Sequence, residues 1–216
     1  MSRERPDYIV VEGPIGVGKT SLARRLAASF ESDLLLEGAE ENPFLERFYQ
    51  DPRSGALPAQ LFFLFQRARQ LADMRQADLF QPVRVADFLM EKDRLFAELT
   101  LDAEELKLYE QVYRHLQVEA PVPDLVIYLQ APEDVLLKRI ARRGIRYERR
   151  IDANFLRRLS EAYARLFLYY EASPLLIVNA ANIDLVNSEA DYQALIEQIH
   201  TVRSGRQYFN PMSATL

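Results

Sequence analysis

The sequence has 216 residues, 49% hydrophobic and 27% charged, with a net charge of −5; that is enough chain for one sizeable core and too acidic to coat nucleic acid. It contains no cysteine, which excludes disulfides and thiolate chemistry, and its histidines, His115 and His200, stand too far apart to suggest a metal site or a Ser-His pair. No apolar run approaches about 18 residues, and the opening MSRERPDYIV lacks the apolar stretch of a secretion signal, so a cytoplasmic protein that engages no membrane is expected.

In chain order, the first apolar run, 8–13 (YIVVEG), reads as a buried strand, and a helix is expected over 19–31. Between them lies Gly13-Pro14-Ile15-Gly16-Val17-Gly18-Lys19-Thr20, followed by Ser21, which fits G-x-x-x-x-G-K-[ST] in full and has the strand-then-helix setting that motif requires. Bare backbone N–H groups at a helix N-terminus form a nest for a phosphate chain. Lys19 can reach the outer phosphates, and the Thr20 hydroxyl can ligate Mg²⁺. A cradle of this kind identifies a nucleoside triphosphate such as ATP as donor but leaves the reaction open.

A second strand, 34–37 (LLLE), ends on Glu37. In a parallel sheet, chemistry gathers at the carboxyl ends of the strands, where a carboxylate can take a hydroxyl proton and orient the oxygen for in-line attack. Glu40 and Glu41 read as solvated. Helices are expected over 43–50 and 57–77; on the second, Gln60 and Arg67 are seven residues apart and project from one face, where they could hold a flat heterocycle stacked on Phe63. The third strand, 83–88, carries Asp87, placed to contact Mg²⁺ beside Thr20 or to cap the next helix. Helices follow over 91–99 and 102–117, with Asp102 and Glu105 in a capping arrangement.

A fourth strand, 124–130, precedes a helix over 133–143. The segment KRIARRGIRYERR (138–150) holds seven basic residues, and Arg139, Arg142 or Arg143, and Arg146 can share a face. With Gly144 as a hinge, this reads as an Arg-rich lid, at about 139–150, that closes over the donor. A helix over 152–170, a strand over 175–180, a helix over 189–202 and a polar, loose tail over 203–216 complete the chain. The strands are continuously apolar rather than alternating, as in a parallel sheet covered by helices on both faces. The expectation is one α/β domain, 1–216, of the three-layer fold shared by P-loop nucleoside triphosphate hydrolases, with a five-stranded parallel sheet and a core over about 8–202.

Together and in this order, GPIGVGKTS, LLLEGAEENPFLERFY, the Gln60–Arg67 helix, VADFLMEKDRLFAELTL, PDLVIYLQAP and LLKRIARRGIRYERRID resemble the deoxynucleoside kinases, in the bacterial branch that acts on deoxyadenosine, deoxyguanosine and deoxycytidine. The resemblance runs from Tyr8 to about residue 180. It implies transfer of the γ-phosphoryl of ATP, with Mg²⁺, to the 5′-hydroxyl of a deoxynucleoside. By position it places Glu37 on the 5′-hydroxyl, Tyr49 and Glu148 on the 3′-hydroxyl, Gln60 and Arg67 at the base, and Arg139 and Arg143 on the phosphates. It also implies a homodimer joined through helices. The chain departs from the family after the third strand, where many members carry an acid-Arg-Ser triplet and this one reads Ala86-Asp87-Phe88. Asp87 then stands for the acid or in the arginine's place, so it belongs with the substrate contacts as well as the metal contacts, and Lys92 or Arg94 is a candidate for the missing positive charge. Members often have an aspartate near position 92 that helps read the base; with Lys92 there, base preference stays open. Two rivals remain at this point. One is a nucleoside monophosphate kinase resembling thymidylate kinase, with Arg67 or Arg94 on the acceptor's phosphate. The other is a module that binds ATP without transferring it.

Overall fold

The computed structural model describes residues 6–76, 84–116 and 118–210. One parallel sheet runs through it in the order β2-β3-β1-β4-β5-β6. Its strands are β1 (Tyr8–Glu12), β2 (Asp33–Leu35), β3 (Arg84–Ala86), β4 (Leu125–Gln130), β5 (Leu175–Asn179) and β6 (Arg206–Phe209). The helices are α1 (Lys19–Phe30), α2 (Leu45–Gln50), α3 (Pro52–Gln76), α4 (Glu91–Thr100), α5 (Ala103–Leu116), α6 (Glu133–Arg143), α7 (Ala153–Leu168) and α8 (Glu189–Thr201).

The unbroken apolar strands follow from burial on both faces. Ile9 and Val11 of β1, Ile127 of β4 and Val178 of β5 pack with Leu22 and Leu26 of α1, Ile140 of α6 and Leu195 of α8. The intervening residues Val10, Tyr128 and Ile177 point the other way, onto Leu95 of α4 and Leu159, Tyr163 and Phe167 of α7. With a two-residue side-chain period, both sets must be apolar, so no alternation survives in the sequence. A further cluster under α3 and α5, built on Leu64, Leu71 and Tyr109, extends the second face.

Strand β1 pairs with β3 on one side and β4 on the other. The chain therefore winds outward in both directions from β1, and the loop after it opens at the crevice where α/β sheets bind ligands. Short β2 and β3 leave Glu37 and Asp87 just past the strand ends, at that same crevice.

Two expectations are corrected. The sheet has six strands, because residues 206–209 of the supposed loose tail pair in parallel with β5, from Leu175↔Arg206 to Val178↔Phe209. This edge strand is half exposed and reads RQYF, so it lacks the apolar run that marks a buried strand; Arg206 also pins it by donating to the carbonyls of Phe167 and Leu168 at 2.7 and 2.9 Å. The helix expected from 57 begins at Pro52 and runs through Pro58. Pro52 is suited to a first helical position, whereas Pro58 reads as a start signal that the helix overrides. The capping box at the head of α5 is complete: Asp102 Oδ1 accepts from the Glu104 and Glu105 N–H groups, and Glu105 accepts from the Asp102 N–H.

Helices α2 and α3 meet at Gly55, where a Cβ would lie 2.4 Å from the Phe48 backbone. Alanine there gains helix propensity, but the backbone contact must open. Gly55→Ala is expected to destabilise the protein by about 1–3 kcal/mol, as overpacking does, read as a lower urea midpoint at unchanged m.

Candidate active site

The phosphate loop is built from positions that few residues tolerate. Gly13 has φ of +147°, and a Cβ on it would sit 2.4 Å from the Leu129 carbonyl oxygen. The loop feeds α1, whose first residue is Lys19. The Lys19 ammonium donates to the Gly13 and Pro14 carbonyls at 2.8 and 3.2 Å. Burial, reinforced by nearby Lys92, pulls its pKa down to about 8 against the pull of Glu12, Glu37 and Asp87.

Asp87 joins three elements. One carboxylate oxygen accepts from the Thr20 hydroxyl of α1, and the other accepts from the Glu37 N–H at 2.8 Å. The Asp87 N–H in turn donates to the Leu35 carbonyl of β2 at 3.1 Å. Among the described residues no group of three or more Asp, Glu or His could enclose a metal ion. One hydroxyl beside one carboxylate fits Mg²⁺, which retains waters and takes its remaining oxygens from substrate phosphates.

Beyond the loop, buried charges of alternating sign run in a row: Glu12, Lys92, Glu37, Arg67, Asp93. Lys92 lies 3.8 Å from Glu12 and 3.0 Å from Glu37, and the Arg67 guanidinium bridges Glu37 and Asp93. Glu37 thus has a cation on each oxygen. Burial pushes its pKa up, but Lys92, then Arg67 and Lys19, outweigh that and hold the carboxyl well below the usual range. Lys92 stays charged: burial lowers its pKa, and Glu12 and Glu37 more than restore it.

The row corrects one inference from the sequence. An aspartate does stand beside Gln60 and Arg67, one residue later than position 92. Asp93 is fully buried; it accepts from the Gln60 amide nitrogen at 2.8 Å, from the Tyr109 hydroxyl and from Arg67. Lys92 faces Glu37 instead, and Arg94 lies outside on α4, paired with Glu98 at 2.8 Å. The Gln60 amide nitrogen donates twice, to the Asp93 carboxylate and to its carbonyl. Among the described residues the buried Arg67 Nε has no hydrogen-bond partner. Phe63 lies under the guanidinium, 5.2 Å from ring centre to Cζ.

Two cavities flank the loop. One, of about 380 Å³, is lined by Lys19, Thr20, Glu37, Gln60, Arg67 and Asp87, with Tyr49 and Glu148 on its far wall. The other, of about 390 Å³, is lined by Gly18, Arg139, Arg142, Ile183 and Asn187. They share Gly16, Ser21 and Arg143. In the lid, α6 ends at Gly144, whose φ is +75°. Arg143 is bound to Glu148 through two nitrogens, with Nε 2.9 Å from one oxygen and a terminal nitrogen 2.6 Å from the other. Arg139 donates to the Val17 and Ala180 carbonyls at 3.1 and 2.7 Å. Tyr49 stacks on Tyr147 of the lid with ring centres 5.7 Å apart. Lys19, Thr20, Glu37, Tyr49, Gln60, Arg67, Asp87, Arg139, Arg143 and Glu148 thus border this paired chamber, while Gly13, Pro14 and Arg94 line neither cavity.

The deoxynucleoside kinase family profile matches residues 9–203. The chain belongs to the deoxynucleoside kinase family. Among its curated relatives, the deoxyguanosine kinase of Bacillus subtilis (strain 168) is 34% identical over 198 residues, covering 89% of this chain and 95% of the relative. The deoxyadenosine kinase of Lactobacillus acidophilus is 31% identical over 209 residues, covering 88% and 94%. A solved deoxyadenosine kinase from M. mycoides, with products dCMP and a flexible dCDP bound, superposes with a TM-score of 0.77 at 21% identity, over 90% of this chain and 99% of that one; at that identity the likeness is one of fold. The two arginines that the monophosphate-kinase rival would use are engaged elsewhere in this deoxynucleoside kinase: Arg67 lies between two carboxylates, and Arg94 is exposed and paired with Glu98. Among the described residues, no helix is long and apolar enough to cross a membrane.

Sequence reasoning passed over Glu12, Tyr109 and Asp93. Glu12 closes an apolar strand and is 0% exposed. A carboxylate at the end of a buried strand, directly before a phosphate loop, is the signal that could have found it.

Proposed function

We propose that the protein transfers the γ-phosphoryl group of MgATP to the 5′-hydroxyl of a purine deoxynucleoside, with deoxyguanosine the preferred acceptor. The observation that carries this reading is Glu37, which stands in the same cavity as Lys19 and Thr20, next to the chamber behind the phosphate loop. The donor's base lies in that rear chamber and its phosphates lie along residues 13–21. Thr20 and Asp87 would hold Mg²⁺, which would screen the phosphate charge. The acceptor lies in the front chamber with its base against Gln60 and Arg67 and its 3′-hydroxyl at Tyr49 and Glu148. Gln60 offers an acceptor and Arg67 Nε a donor, a pair that suits the adjacent N1–H and O6 of guanine. The relatives named as deoxyguanosine kinases support the same choice.

Glu37 is a poor free base, because its cations hold it ionised. Its role is to accept the hydrogen bond of the 5′-hydroxyl and fix that oxygen in line, taking the proton as the new P–O bond forms. Arg139 and Arg143 exchange their present partners for phosphate oxygens as the lid closes. Cytoplasmic residence and a homodimer joined through helices belong to the same proposal, and sedimentation equilibrium tests the dimer.

The experiment is a panel of the four deoxynucleosides and thymidine monophosphate with MgATP, read as ADP release. Deoxyguanosine should give the highest kcat/KM and the monophosphate none. A panel led by the monophosphate, or silent throughout, would overturn the reading. Donor binding carries its own signature. Phosphates raise the depressed pKa of Lys19, so binding ATP at about pH 8 takes up protons, seen as a dependence of calorimetric heat on buffer ionisation enthalpy. Lys19→Met should abolish that uptake.

A further inference from the structure

Lys92 has no part in the transfer described so far, yet it stands at the centre of the acceptor cavity. It is 3% exposed and borders the same space as Lys19, Thr20 and Asp87. An ammonium has three donors; among the described residues this one makes a single hydrogen bond, to Glu37 Oε2 at 3.0 Å. Its second counter-ion, Glu12, is immobile. Glu12 accepts from the Gly13 N–H, the Leu89 N–H and the Tyr163 hydroxyl, each at 2.9 Å. Lys92 is therefore anchored from behind by a fixed carboxylate and faces the ligand space with donors to spare. Lys19 and Lys92 also repel each other across that space. Two buried ammonium groups sharing one cavity are an arrangement for a polyanion that lies between them.

We propose that Lys92 is a catalytic residue: a second ammonium that contacts an oxygen of the transferring phosphoryl group while Glu37 holds the acceptor hydroxyl. This rests on the reading of Glu37 given above. When the 5′-hydroxyl donates to Glu37 Oε2, it takes over part of that oxygen's bonding to Lys92, and Glu12 keeps the ammonium in place. The 5′-oxygen then bonds to the γ-phosphorus as the bond from phosphorus to the β,γ-bridging oxygen breaks. The electron pair departs on ADP, and the hydroxyl proton goes to Glu37. Lys92 stabilises the charge on the peripheral oxygens during this exchange.

The test compares Lys92→Gln, which keeps a donor but loses the charge, with Lys92→Arg, which keeps the charge. Steady-state kinetics with deoxyguanosine and MgATP should show kcat of Lys92→Gln reduced by about 10²–10³-fold, the loss typical of a transition-state donor. Its KM values should stay near those of the wild type, and Lys92→Arg should recover most of the rate. A second readout is the affinity for ADP with Mg²⁺ and fluoroaluminate in the presence of deoxyguanosine, relative to ADP alone. The wild type should gain affinity with the phosphoryl mimic and Lys92→Gln should not, a difference that a purely structural lysine would not produce. Near-normal kcat in Lys92→Gln overturns the proposal. So does a parallel fall of kcat and substrate affinity, or the loss of a thermal transition in both variants, which would mark Lys92 as structural. A wild type inactive on every deoxynucleoside would instead show that the function assigned above fails, and would be seen before any variant is compared.

Discussion

Glu37→Gln is expected to lower kcat by about 10²-fold or more while leaving the Kd for deoxynucleoside within a few-fold of the wild type, the magnitude associated with losing a positioned acid–base group. In the wild type both carboxylate oxygens are engaged, one by Arg67 and the other by Lys92 at 3.0 Å. Glutamine keeps the shape but turns an N–H₂ group toward one of those cations. It can still accept one hydrogen bond, so the acceptor binds. It lacks the charge that draws the hydroxyl proton as the P–O bond forms. Coupled ADP release gives kcat, and calorimetry with nucleoside alone gives Kd. A turnover within threefold of the wild type would remove Glu37 from the reaction.

Arg67→Met should have the largest effect on stability. The guanidinium is 2% exposed and separates Glu37 from Asp93, which is 0% exposed. Its removal leaves the fully buried Asp93 without its counter-ion and Glu37 with Lys92 alone, a change that costs about 3–5 kcal/mol. The deficit should depend on pH. In the wild type the Glu37 pKa is depressed below its ordinary value of 4.5, so its contribution to stability is fully present above that value and is lost as the pH falls. In the variant Glu37 loses one of the cations that hold its pKa down, so its pKa rises and protonation as the pH falls relieves its repulsion of Asp93. The gap between the two proteins in urea unfolding should therefore be widest near pH 7 and narrow toward pH 5. A constant gap over that range, or one below about 1 kcal/mol, would mean that Arg67 contributes by packing alone.

What could be read from the sequence was whatever depends on local pattern. The strand, glycine-rich loop and helix around Gly13–Ser21 are contiguous, so their geometry is written in nine successive residues. Strands β1, β4 and β5 were legible because burial on both faces forces an apolar run, and β6 was not, because an edge strand has one free face. The site was legible in part. Glu37 and Asp87 follow apolar strands, so their place at the crevice comes from topology. The row through Glu12, Lys92 and Asp93 was not, because its members come from β1 and α4 and become neighbours of Glu37 and Arg67 only once the sheet and α3 are assembled. Lys92 and Asp93 are consecutive on one helix, yet they lie on opposite sides of Glu37 and Arg67; no spacing rule assigns one to the Glu37 carboxylate and the other to the Gln60 amide.

That row has a consequence for how the two substrates influence each other. At one end Glu12 holds the N–H of Gly13, and at the other Asp93 holds the amide of Gln60. On the proposed placement of the two substrates, a charge or hydrogen bond added at either end would alter the share of attraction each neighbour receives, and donor and acceptor would be coupled through the row as well as through direct contact. Thermodynamic reciprocity fixes the size of that conversation: whatever factor ATP imposes on the grip for the nucleoside, the nucleoside must return to ATP.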